Sequence, residues 1–255
     1  MRKINVVVGL IGVIFMISSC KKDSDSIGTN KTFNVRMTDA PAAYGAVNID
    51  LQSVEIVGDD DKTVVMNVSK GIYNLLDFTN GKDTLIATAS LDAESVKQIR
   101  LILGSNNTIM VNGVSYPLST PSAEQSGLKL LVNQTLEAGI ANSITVDFDA
   151  SKSIVEQGNG VYKLKPVLRT FQTAISGSIK GKISPLGTLA SVTATSSTNV
   201  TYTTTANLLG DFMLVGVPSG MYTITVTPAL PLTPFTQTNV VVTTGVVTNI
   251  GVVNF

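Results

Sequence analysis

Apolar and polar residues alternate with a period of two along most of the chain, which is the signature of strands with one buried face. Phe33, Val35 and Met37 fall on one side of an opening strand. Val47, Ile49 and Leu51 do the same in the next, and Val54 and Ile56 continue it after a shift of phase. Gly58-Asp59-Asp60-Asp61-Lys62 reads as a turn, followed by a strand over 63–68. Residues 91–103 fit two patterns. Asp92 can cap a helix carrying Val96, Ile99 and Leu103, but 97–103 is read here as a strand stopped by Gly104. Asn112-Gly113, after a strand over 108–111, is a strong signal for a two-residue hairpin turn. Strands over 128–132, 143–148 and 162–168 complete this region.

From about Phe171 charges thin out and Thr and Val dominate. Strands are predicted from 175, over 190–195 and over 200–205. In 209–226, Gly210 allows a turn, Phe212 and Leu214 point inward, and Pro218 to Gly220 reverse the chain. Tyr222, Ile224 and Val226 then face the core. Stretches 238–242 and 246–253 are expected to form a final hairpin around Thr244-Gly245. The fold class is therefore all-β, two tandem β-sandwich domains.

The N-terminus follows a different pattern. Arg2 and Lys3 precede an apolar run from Val6 to Ile17. That run is too short to span a bilayer, which takes roughly 20 residues, and it suits a secretory signal. Ile17-Ser18-Ser19-Cys20 resembles the lipobox of bacterial lipoproteins. The resemblance implies cleavage after residue 19 and diacylglycerol on Cys20, the chain's only cysteine. With Lys21 following, it further implies sorting to the outer membrane of a Gram-negative envelope. Residues 20–31 form the lipidated cysteine and a flexible tether. Lys21, Lys22, Asp23 and Asp25 resemble the charged export tags of surface-displayed lipoproteins. Without a second cysteine no internal disulfide can form, so stability must come from the cores.

Charge and composition exclude several functions. Removing residues 1–19 takes Arg2 and Lys3 from 18 basic residues and leaves 16 against 18 acidic. No basic block is present, so nucleic acid is not an expected partner. Histidine is absent and the one thiol is expected to be acylated. Acyl-transfer triads and most zinc sites therefore lack their usual parts, and no cofactor and no catalytic residue are expected. Carboxylate chemistry remains open, since glycoside hydrolysis needs only two acids. Asp147 and Asp149 flank Phe148 on one strand face and, with Ser151, match the first ligand positions of a calcium loop. Lys152 then stands where glycine is needed and Gly158 where glutamate belongs. These three are weak metal candidates, and a solvated strand end is the plainer reading. Asp59, Asp60 and Asp61 read as turn residues.

Arg100 is expected to be paired or to face solvent. Tyr44, Tyr73, Tyr116, Tyr162 and Tyr202 are the rings available for sugar stacking, although packing is the plainer role for each. Asp25-Ser26-Ile27 and Asp83-Thr84-Leu85 resemble a three-residue O-glycosylation motif.

Two further resemblances cover most of the chain. The segments 37–41, 98–101, 121–129, 147–154 and 158–169, in that order, resemble an uncharacterised domain of many bacterial lipoproteins, here over 32–170. It implies a β-sandwich-like exported domain with no assigned activity. The run 209–226 resembles the carboxypeptidase-regulatory-like, transthyretin-like domain over 173–255, a fold grouped with carbohydrate-binding ones. The expected function is a non-catalytic, membrane-anchored envelope lipoprotein that binds a glycan or protein, facing either the cell surface or the periplasm. A structural role in an envelope complex and a carboxylate-based hydrolase are the alternatives.

Overall fold

The structure is a computed structural model, and it describes residues 31–139 and 141–255. The expected signal peptide 1–19, Cys20, the expected tether up to residue 30 and Asp25-Ser26-Ile27 lie outside the described residues. In chain order the strands of the first half are β1 Lys31–Ala40, β2 Ala46–Gly58, β3 Thr63–Val65, β4 Asn67–Val68, β5 Gly71–Asn74, β6 Thr84–Leu91 and β7 Ser95–Leu103. Then come β8 Thr108–Val111, β9 Val114–Ser119, a short helix α1 Pro121–Gln125 and β10 Leu128–Thr135. β11 Asn142–Asp149, α2 Ala150–Ser153, β12 Ile154–Glu156, β13 Tyr162–Leu164 and β14 Leu168–Phe171 end this half. The second half holds β15 Ser176–Ser184, β16 Ala190–Ser196, β17 Thr201–Thr205, β18 Asp211–Pro218, β19 Gly220–Pro228, β20 Phe235–Val242 and β21 Val247–Asn254.

Strand propensity and alternation explain these elements. The residues that share a face in β1 and β2, including Phe33, Val35, Met37, Val47, Ile49 and Leu51, are all fully buried. The phase shift expected in β2 is a bulge against β7 between Leu51 and Ser53. Residues 95–103 are a strand, not a helix, because β7 sits between β2 and β10 and pairs with both. Asn112 and Gly113 both take positive φ, 51° and 79°, as a tight hairpin turn between β8 and β9 requires.

Two sheets pack around one core. The first runs β14-β11-β1-β6-β4, and the second runs β10-β7-β2-β8-β9-β13-β12 with β3 and β5 alongside β2. The core between them is built on Phe33, Ile99, Leu101 and Phe148. A separate core, with Ile179, Phe212, Leu214 and Ile224, lies between the sheets β18-β15-β21 and β17-β16-β19-β20. The protein is all-β and of sandwich type.

Three expected elements are different in the structure. The strand over 63–68 divides at Met66, which is buried, so that β3 pairs with β2 while β4 joins β6 in the opposite sheet. The strand over 162–168 divides at Pro166, which has no N–H for a ladder. β13 stays beside β9 and β12, and β14 crosses to pair with β11. The final hairpin does not form. β20 pairs with β19, whereas β21 runs parallel to β15 in the other sheet. Burying Val240 and Val242 from one side of the core and Val253 from the other sends the Thr244-Gly245 turn between sheets instead of within one.

Candidate functional site

The sequence candidates are placed as follows. Asp147 and Asp149 do share the outward face of β11. Asp147 is buried there and its carboxylate meets the Arg169 guanidinium at 2.5 Å. Burial raises the Asp147 carboxyl above the usual carboxylate range, with the charge of Arg169 pulling the other way. Asp149 caps α2: its side chain accepts from the Lys152 N–H, from the Lys152 ammonium at 2.6 Å and from the Ser151 hydroxyl at 2.6 Å. Asp149 and Ser151 are thus brought together, while Asp147 is turned to Arg169. Among the described residues no three Asp, Glu, His or Cys side chains cluster as a metal site.

Asp39 is a buried carboxyl that the sequence reading did not single out. One oxygen accepts the Ala150 N–H at 3.0 Å and the other has no partner. Burial pushes it well above the usual range; the Ala150 N–H opposes this, and the neighbouring Asp147 and Asp149 add to it. It sits at the end of β1, opposite Phe148.

The other candidates serve packing and turns. Arg100 is paired with Glu55 at 3.0 Å. Asp59 accepts the N–H groups of Glu94 and Ser95, Asp60 pairs with Lys62, and Asp61 pairs with Lys97. Asp83 pairs with Arg36. Tyr116 packs on Tyr162, Tyr73 on Phe78, and Tyr202 edge-on to Tyr222, while Tyr44 is half-buried.

A cavity of about 560 Å³, open to solvent, lies where the two sandwiches meet. Its wall from the first sandwich is Leu131 to Gln134 on β10, Ile144 on β11 and Arg169 to Phe171 on β14. The second contributes Thr201 and Tyr202 on β17, and Gly216 and Pro218 on β18. Arg169 organises the wall. Its guanidinium donates to the carbonyls of Val215 at 2.7 Å and Gly216 at 3.5 Å, and lies 5.2 Å from the Phe171 ring and 5.9 Å from that of Tyr202. Gly216 takes φ +65°, and a Cβ there would stand 2.1 Å from Cγ of Phe171. A second polar bridge between the sandwiches runs from the Lys152 ammonium to the Thr203 hydroxyl at 2.6 Å.

Gln134 has the most unusual environment in the cavity wall. It is 4% exposed, and its Oε1 is buried without a partner. A buried acceptor left empty costs about 1–3 kcal/mol. Neither Gln134 nor Arg169 could be read as a site residue in sequence. Arg169 sits in a motif of the first resemblance, but the carbonyls it holds lie on a strand more than forty positions away.

This geometry defines an all-β, two-sandwich chain with a recess walled by both halves. The chain belongs to the family described as Domain of unknown function (DUF4382), whose model matches residues 30–166. No curated protein matches it. Among solved structures it is similar to the Bacillus anthracis TIE protein, with 13% identity and a TM-score of 0.25, covering 88% of this chain and 34% of that one. The chain thus spans about a third of that protein's length. It is also similar to the shaft pilin SpaA of Lactobacillus rhamnosus GG, at 9% identity and TM-score 0.22, covering 87% of this chain and 96% of that one. A fimbrial protein from Bacteroides ovatus ATCC 8483 gives 9% and 0.24, covering 90% of this chain and 50% of that one. Likenesses at this level carry no argument about function.

Proposed function

We propose that this protein is a non-catalytic component of the cell envelope, anchored by lipid on Cys20, that captures a ligand at the junction of its two sandwiches. The observation that supports this most directly is the junction cavity with its unpartnered Gln134 oxygen and its wall built from both halves. Binding sites favour such recesses between packed units. Residues 173–255 serve in this reading as a carboxypeptidase-regulatory-like module that completes the wall. The anchor rests on the lipobox resemblance of 17–20, with sorting to the outer membrane following from Lys21.

Two measurements test it. Metabolic labelling with a clickable fatty acid should mark the full chain and not its Cys20→Ser variant. Protease added to intact cells, with lysed cells as control, should cleave the body if it faces outward. Labelling that persists in Cys20→Ser sinks the anchor, and protection until lysis confines the body to the periplasm and turns the ligand search toward envelope partners.

A further inference from the structure

The junction cavity is bounded by sheet edges and not by sheet faces. β14 and β10 are the outermost strands of the two sheets of the first sandwich, and β18 and β17 hold the same position in the second. All four contribute to the wall. An edge strand carries backbone N–H and C=O groups that no neighbour uses, and these template the addition of another strand.

Which groups of β10 face outward follows from the ladder. The Met66 N–H donates to the Val54 carbonyl, so Val54 points toward the β3 flank of β2, away from β7. In an antiparallel pair this alternates residue by residue. Leu101, opposite Val54, therefore points its backbone groups at β10, and Arg100 points at β2. Opposite them, Leu128 points at β7, whereas Lys129 and, two residues on, Leu131 direct their N–H and C=O groups outward. Among the described residues no strand pairs with that edge.

The wall also indicates what would add there. Arg169 is its one charged residue. Its guanidinium is already bound to Asp147 and to the carbonyls of β18, so no free cation awaits an anion. The same guanidinium lies over one face of the Phe171 ring and of the Tyr202 ring. Leu131 and Ile175, 82% and 63% exposed, offer apolar contact beside the β10 edge.

We propose that an extended, uncharged segment of a partner polypeptide, apolar at alternate positions, adds as a strand along β10 in this cavity and pairs with the outward backbone groups of Lys129 and Leu131. This rests on the reading of the junction cavity as the ligand site, and it names the ligand's class.

The test uses the full chain in detergent. The probes are a pool of acetylated, amidated heptapeptides alternating Thr with Val, Leu or Ile, the same peptides N-methylated at alternate amides, and neutral hexasaccharides of glucose and N-acetylglucosamine. The peptides are expected to slow hydrogen exchange at the Leu131 amide at least tenfold. N-methylation should weaken binding at least tenfold. Equal binding of methylated and unmethylated peptides overturns strand addition. Hexasaccharides that protect the cavity wall while peptides do not overturn the peptide class and leave the junction site standing. Protection by neither overturns both.

Discussion

Asp39, Asp147 and Arg169 show how a few ionisable groups tune this protein at the scale of single residues. Asp39 is held above its ordinary pKa mainly by burial. The folded state therefore binds a proton that the unfolded chain releases at lower pH, so stability falls as pH rises from the ordinary carboxylate range, about 4. Asp39→Asn removes that titration. Its urea midpoint should vary less between pH 4 and 7 than that of the unchanged protein, and an equal slope would show that Asp39 does not titrate in this window. Arg169 sets the second expectation. Arg169→Ala leaves the buried Asp147 carboxylate and two strand carbonyls without their partner, which should cost about 2–4 kcal/mol in denaturant unfolding. A double-mutant cycle with Asp147→Asn isolates the pair, and a coupling within about 0.5 kcal/mol of zero would contradict the geometry.

Elements are decided by alternation, by turn chemistry and by where the chain must change sheets. The turn at Gly210 illustrates how little freedom some loops have. Its φ is +78°, and a Cβ would fall 2.2 Å from the Ile183 carbonyl oxygen. Gly210→Ala is therefore both strained and blocked, and should lower stability by more than about 2 kcal/mol; thermal unfolding checks this. Alternation correctly marked β1, β2, β7, β18 and β19, because one buried face imposes period two on each. It failed where a strand changes sheets. The segments around Met66, Pro166 and Gly245 keep their alternation through the crossing, so nothing local announces that the partner strand has changed. Pro166 was the one legible warning.

At the scale of the whole molecule, the two cores are separate while polar bridges join them. Arg169 spans from Asp147 to the edge of β18, Lys152 reaches Thr203, and Gly216 receives the Phe171 ring. These bridges should couple the two halves during unfolding. Calorimetry of the full chain is expected to show one transition, and Gly216→Leu, which drives a side chain into Phe171, should separate it into two. Two transitions already present in the unchanged protein would mean that the junction transmits little free energy.

The sequence by itself determined the all-β class, the buried faces of most strands and the Asn112-Gly113 turn. It also singled out Cys20, whose place outside the described residues leaves its lipidation to experiment. These features are local: each follows from a few neighbouring side chains and their preferred backbone conformations. Which strands lie at sheet edges, and which edges face one another, was decided only by tertiary structure. Gln134 reads in sequence as one polar residue in an alternating strand, and Arg169 as one cation near a proline. The cavity arises because β10, β14, β17 and β18 meet edge to edge, and the pairings that bring them there are made by residues scattered from β7 to β18.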